Sequence, residues 1–151
     1  MTKQVETDET LPLGDAQIAD VLTRWWGFDR LRPLQAEAIA AALAGRDSLV
    51  VMPTGGGKSL CYQLPPLVGE TTDVVISPLV ALMKDQVDAL EAIGYPAAAI
   101  HGGMSQEERA GVRDRLAAGE LRLLFAAPER LVNTGLLDLL ARVGVKRFAV
   151  E

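Results

Sequence analysis

The sequence holds a single cysteine, Cys61, and a single histidine, His101, among its 151 residues. One thiol excludes an internal disulfide and a cysteine-rich zinc site, and it fits a reducing, cytoplasmic setting. No apolar run approaches the roughly 20 residues of a membrane span. The polar stretch Met1–Thr10 also lacks the basic and apolar regions of a signal peptide. No membrane partner is expected. Positive charge is scarce too: 15 Lys and Arg stand against 20 Asp and Glu, a net charge of −5. Proteins that wrap nucleic acid by neutralising phosphates are normally basic. Any such contact must therefore be local, made by a few backbone amides and cations.

What is present is apolar. Hydrophobic residues make up 49% of the chain and charged ones only 23%, which describes one globular domain able to bury a sizeable core. Met1–Pro12 is acidic, Thr-rich and aperiodic, and reads as a flexible lead-in. Asp15 is a candidate N-cap for a helix carrying Ile18, Val21, Leu22 and Trp25 at three- and four-residue spacing. Gly27 stops it. Pro33 suits the first position of a second helix that runs through Leu43 and ends at Gly45. Residues 13–45 thus form a helical lead-in to a domain over 46–151.

From Ser48 onward the pattern changes to short apolar runs separated by helical stretches. Ser48–Met52, Asp73–Ser77, Ala97–Ile100, Leu121–Ala126 and Lys146–Val150 read as strands. Lys58–Leu64, Leu79–Ile93, Gln106–Ala118 and Thr134–Val143 read as helices. Strict alternation of strands apolar on both faces with helices predicts an α/β fold, a parallel sheet with right-handed crossovers and helices on both faces. No internal repeat interrupts it.

One segment carries explicit chemistry. Pro53-Thr54-Gly55-Gly56-Gly57-Lys58-Ser59 follows the first expected strand and opens a helix. Consecutive glycines let Thr54, Gly55, Gly56 and Gly57 turn their amides inward around a phosphate. Lys58 can reach β- and γ-phosphates, and the Ser59 hydroxyl can ligate Mg²⁺. The common form of this loop has glycine where Met52 stands, so this is not the usual nucleotide-kinase or GTPase version.

Residues 52–63, Met-Pro-Thr-Gly-Gly-Gly-Lys-Ser-Leu-Cys-Tyr-Gln, closely resemble motif I of RecQ-family DNA helicases. Trp26–Ile39 is similar to that family's adenine-reading motif 0, Ile76–Val87 to motif Ia, and Ala126–Leu131 to the strand-end motif that follows. Together they cover roughly Leu22 to Glu151, in the family's order. The resemblance implies a P-loop NTPase of RecA-like fold that uses ATP and Mg²⁺ and acts on DNA, single-stranded or as a 3′-tailed duplex. It implies that Phe28 stacks on the base. Gln35, whose amide offers both a donor and an acceptor, would read adenine, and Arg32 would frame the same nucleotide. Ser77, Pro78 and Arg130 become candidate DNA contacts. Lys84 is either a phosphate contact or a surface cation paired with Asp88 four residues on. Glu129 reads equally well as a structural ion pair, His101-Gly102-Gly103 as a flexible loop, and Trp25 and Trp26 as packing. Cys61 reads as a small buried hydrophobe.

In RecQ helicases an Asp-Glu-Ala-His box ends the next strand. By alignment Glu151 stands at its first Asp, which makes it, with Lys58, a candidate catalytic residue and, with Ser59, a candidate metal ligand. The remaining box residues and the second RecA-like domain lie outside this sequence, as do the family's zinc and winged-helix regions. The expected function is a 3′-to-5′ helicase of recombination and repair, present as an N-terminal piece that binds ATP without appreciable turnover. The alternative is a standalone nucleotide-binding remnant.

Overall fold

The computed structural model describes residues 13–132 and 134–151. The expected lead-in over Met1–Pro12 lies outside them. Two helices open the fold, α1 (Leu13–Trp26) and α2 (Pro33–Leu43). Asp15 sits inside the first turn of α1 rather than capping it, a position where its charge complements the helix dipole. Pro33 occupies the first turn of α2 as expected, and the Gln35 side chain reaches back to accept the Arg32 N–H at 2.9 Å. That bond is half of a capping box.

Beyond the glycine-rich loop come two short helices, α3 (Leu60–Gln63) and α4 (Pro65–Gly69), where a single helix from Lys58 to Leu64 is expected. Strand and helix then alternate through β1 (Asp73–Ile76), α5 (Val80–Ala92), β2 (Ala97–Ile100), α6 (Gln106–Ala117), β3 (Leu123–Ala126), α7 (Leu136–Val143) and β4 (Phe148–Val150). A 3₁₀ turn over Pro128–Leu131 leads from β3 toward α7. All pairings are parallel, in the order β2-β3-β1-β4. The connection β1–α5–β2 runs one way across the sheet, and the two later ones run back. Right-handed crossovers must then put α5 on one face and α6 with α7 on the other.

The side chains follow that geometry. Val74, Leu124 and Ile100 pack with Val112 and Leu116 of α6 and Leu136 and Leu140 of α7. Their strand neighbours Val75, Leu123 and Phe125 face the other way, onto Met83, Val87 and Leu90 of α5. This is the two-residue alternation of a strand buried on both faces. Trp25 and Trp26 seat against Tyr95, with ring centroids 5.6 and 6.3 Å away, which joins α1 to the same core. A third cluster of Leu22, Ile39, Leu60 and Leu64 binds the lead-in to the helices after the loop. Each such buried side chain contributes about 1.5–3 kcal/mol relative to exposure.

One expected strand does not form. Ser48–Met52 takes no regular structure and pairs with no strand among the described residues, and its Leu49 and Val51 are 93% and 81% exposed. A parallel neighbour must lie about 4.8 Å away. Between this segment and β4 there is instead a cavity of about 840 Å³, lined by Ser48, Leu49 and Val50 on one side and Phe148, Ala149 and Val150 on the other. A run of apolar residues such as Leu49–Met52 is a necessary condition for a buried strand, but a hydrogen-bonding edge beside it is the other. β4 is consequently an edge strand. It is fastened at its start, where Arg147 Nε donates to Asp73 Oδ2 and Arg147 Nη2 to Thr71 Oγ1, both at 2.6 Å. Asp73 is 4% exposed. Burial pushes its carboxyl up, and the Arg147 hydrogen bond and charge pull it part of the way back.

Candidate functional site

The register aligns Ile76, Ile100, Ala126 and Val150 across the sheet. Every residue just past a strand end therefore shares the carboxyl edge, the side on which open α/β sheets bind ligands. Ser77 and Pro78, the His101–Gly103 turn, Pro128–Arg130 and Glu151 are all on it.

The glycine loop is built by its own bonds and by two ties from α2 and its cap. Gly56 N–H donates to Pro53 carbonyl at 2.9 Å, closing a turn. Gly57 has φ +81°, a left-handed conformation that only glycine adopts freely. A Cβ there would also overlap Gln35 Nε2. That nitrogen donates to the Gly57 carbonyl at 2.9 Å, and Arg32 Nη1 donates to the Gly55 carbonyl at 3.1 Å. Lys58 Nζ donates to the Met52 carbonyl at 3.3 Å. The N–H groups of Gly57, Lys58 and Ser59 meet no backbone acceptor among the described residues. Successive amides of this kind form an anion-binding concavity.

Gln35 is buried, with its carbonyl on Arg32 N–H and its amide on Gly57. The expected adenine reader thus also latches the phosphate loop. One amide hydrogen and one carbonyl lone pair remain for a ligand. Phe28 is 54% exposed, so its ring face is open, and Thr54 and Lys58 are exposed as well.

At the far end of the sheet edge, Glu151 meets two side chains. The Tyr62 hydroxyl lies 2.7 Å from Glu151 Oε1 and 2.6 Å from Gln86 Oε1. Gln86 Nε2 donates to Oε1 and Oε2 of Glu151 at 3.4 and 3.3 Å. Burial and the adjacent Glu151 push the Tyr62 hydroxyl well above the ordinary phenol range, so it stays a donor at any working pH. Neither Tyr62 nor Gln86 is marked by the sequence as a site residue. The only available signal was that each falls inside a quoted motif.

Lys58 and Glu151 line the same cavity. Ser59, one turn before Tyr62, borders a neighbouring hollow with Gln63 and Gln86. A hydroxyl and a carboxylate are the hard oxygen donors that Mg²⁺ takes, and Mg²⁺ is held by one or two such groups plus phosphate rather than by a cage. Ser59 and Glu151 offer donors of that kind, and among the described residues no group of three or more His, Cys, Asp or Glu comes together.

The candidate DNA contacts are placed more variously. Pro78 is exposed on the carboxyl edge, but Ser77 is 1% exposed and its hydroxyl oxygen accepts the Leu79 N–H at 3.4 Å. Lys84 lies on α5 in an exposed pair with Asp88 at 2.8 Å, the bond that also raises its pKa. Arg130 has a buried Nε without a partner among the described residues. His101 Nδ1 accepts the Gly103 N–H at 3.1 Å, which makes it a turn residue. Cys61 is half-buried beside the cavity, and burial raises its thiol.

A parallel α/β sheet with a glycine-rich Lys-Ser loop at its carboxyl edge defines the P-loop, RecA-like class of nucleotide-binding domain. Comparison with known proteins narrows the class. The model of the DEAD/DEAH box helicase family matches residues 32–147, and the chain belongs to that family. It is 47% identical over 129 residues to the ATP-dependent DNA helicase RecQ of Synechocystis, covering 85% of this chain and 27% of that protein. To RecQ of Pasteurella multocida it is 43% identical over 132 residues, 87% of this chain and 21% of the relative. The chain thus spans about a quarter of the length of these relatives. Among solved structures it resembles the helicase MrfA bound to DNA, with a TM-score of 0.69 and 25% identity, over 93% of this chain and 21% of that one. The Prp28 RNA helicase of Chaetomium thermophilum bound to ADP, with a TM-score of 0.60 and 22% identity over 94% of this chain and 45% of that one, shares the fold. Among the described residues no helix is long and apolar enough to cross a membrane.

Proposed function

We propose that this chain is the ATP-binding part of a RecQ-type DNA helicase motor, which moves 3′ to 5′ on single-stranded or 3′-tailed DNA during recombination and repair in the cytoplasm. The observation that carries the reading is the convergence of loop and strand end. Lys58 and Glu151 border one cavity, and Tyr62, three residues past Ser59, reaches Glu151 across 89 positions of sequence.

In this reading the amides of Gly57, Lys58 and Ser59 hold the β-phosphate, with Thr54, Gly55 and Gly56 completing the turn. The Lys58 ammonium leaves the Met52 carbonyl for the β- and γ-phosphate oxygens, where its charge is worth more than on a neutral acceptor. Ser59 and Glu151 hold Mg²⁺, which when bound neutralises the charge that develops on the phosphates during transfer to water. Phe28 stacks on the base, Gln35 meets the adenine edge with its unused hydrogen and lone pair, and Arg32 closes over the sugar-phosphate. Pro78, the backbone at Ser77, Lys84 and Arg130 lie along the DNA track, on the same sheet edge or on the helix that leaves it. A second RecA-like domain of the longer protein would supply the opposite wall.

Titration of a fluorescent ATP analogue in Mg²⁺ tests the core of this. Lys58→Ala should weaken binding at least about tenfold, the cost of losing one charge-assisted hydrogen bond. Equal affinity for wild type and variant would refute the phosphate site. The chain alone should turn over negligible ATP, measured as released phosphate.

A further inference from the structure

We propose that Tyr62 and Gln86 are positioning residues that hold the Glu151 carboxylate in place for the nucleotide-bound cation. The inference deepens the proposed function and rests on its assignment of Glu151.

Glu151 follows β4, an edge strand paired on one side only. It is an exposed residue, and an exposed glutamate at a strand end has no intrinsic reason to keep one rotamer. A cation ligand must keep one, because Mg²⁺ tolerates little departure from octahedral geometry. The two side chains that meet the carboxylate come from different elements. Tyr62 is on α3, the helix directly after the phosphate loop, and Gln86 is on α5, the helix after Ser77 and Pro78. Glu151 N–H donates to the Ile76 carbonyl at 3.0 Å, so its backbone is fixed by β1. The Tyr62 hydroxyl is within donating distance of both Glu151 Oε1 and Gln86 Oε1, its one proton serving either at a time, and the Gln86 amide donates to both carboxylate oxygens.

The clamp is itself anchored. The Tyr62 ring stands edge-on to Phe125, with centroids 6.3 Å apart and planes at 81°. Phe125 is fully buried in β3, so the phenol can swing little. Val87, next to Gln86, is a buried residue of the α5 face that packs on the sheet. A carboxylate offers about four lone-pair sites, so these bonds leave acceptor capacity for a cation. Groups that orient a metal ligand in this way typically change metal affinity 10–100-fold when removed.

The test separates metal from nucleotide. The dissociation constant of a fluorescent ATP analogue is measured for this chain in Mg²⁺ and in EDTA, and the EDTA value divided by the Mg²⁺ value is the readout. Tyr62→Phe, which keeps the ring on Phe125, and Gln86→Leu, on a different helix, should each cut that ratio about tenfold. The affinity in EDTA should stay unchanged, and thermal unfolding of each variant verifies that it folds. A purely structural role would move the EDTA affinity or the melting temperature and leave the ratio alone, and that result overturns the proposal. A folded variant with a wild-type ratio also overturns it, while Lys58→Ala still losing binding leaves the phosphate site standing. If Lys58→Ala binds like wild type, the underlying site reading fails and the clamp falls with it.

Discussion

Replacing Arg147 by methionine gives the sharpest test of how β4 is held. Among the described residues its guanidinium is the sole cation bonded to Asp73, which is 4% exposed, and it also bonds Thr71. Methionine keeps much of the stem but leaves a buried carboxylate with only the Thr71 hydroxyl, at 3.1 Å. Breaking a buried ion pair from one side costs about 3–5 kcal/mol. The Arg147 side chain retains 20% exposure, so water partly replaces it and about 3 kcal/mol is the better expectation. Against the roughly 5–15 kcal/mol that holds a whole domain, that loss is large. Urea unfolding followed by the fluorescence of Trp25 and Trp26, which pack on Tyr95, measures it directly.

The pH dependence fixes the mechanism. Burial already raises the Asp73 carboxyl above its ordinary 3.8 in the folded chain, and removing Arg147 raises it further. For an acid whose folded pKa is raised, the folded state is favoured when the group is protonated and loses stability as pH climbs through that pKa. The penalty of Arg147→Met should therefore be full at neutral pH and shrink on acidification toward pH 4. Asp73→Asn in the Arg147→Met background should recover most of it at pH 7. A loss under about 1 kcal/mol, the size of an exposed pair, would refute the argument. So would a penalty that grows as the pH falls.

Two further substitutions probe the loop. Gly57→Ala forces a side chain into a φ of +81° and onto Gln35 Nε2. It should cost about 1–3 kcal/mol in chemical denaturation and weaken ATP-analogue binding in parallel; unchanged values would mean that the latch from α2 is not needed. Gln35→Ala should lower affinity for ATP more than for GTP in competition titrations, and equal losses would reduce Gln35 to a structural tie.

How much of this the sequence carried depended on the range of the forces involved. Pro33–Leu43 and Ala97–Ile100 were legible residue for residue, because a proline at a first turn and a run of small apolar residues between turns act locally. The glycine loop was legible for the same reason, since Gly57's backbone conformation and the Lys-Ser that follows are written in consecutive positions. Ser48–Met52 was misread because strand identity belongs to a pair of edges, and nothing within five residues reveals whether a partner edge is adjacent. Gln35's second role, the Asp73–Arg147 pair and the Tyr62–Gln86–Glu151 cluster were invisible for a related reason. Each joins positions 22 to 89 residues apart, and no local pattern encodes which distant partner a polar side chain meets.

The open side of β4 has a consequence for assembly. The unpaired segment Ser48–Val50 and the open edge of β4 line one cavity, and Leu49, Phe148 and Val150 stand exposed around it. One extended segment entering there could bond to both edges at once, acting as a keystone that turns four strands and a loose flank into one continuous sheet. Closure of that kind would be all-or-none, because half a keystone supports neither side. Until it is set, the same gap is a trap for any passing apolar strand, a second copy of this chain included. Ser48–Met52 runs directly into the phosphate loop, so a strand bound in that gap would also bear on how firmly the nucleotide site is held.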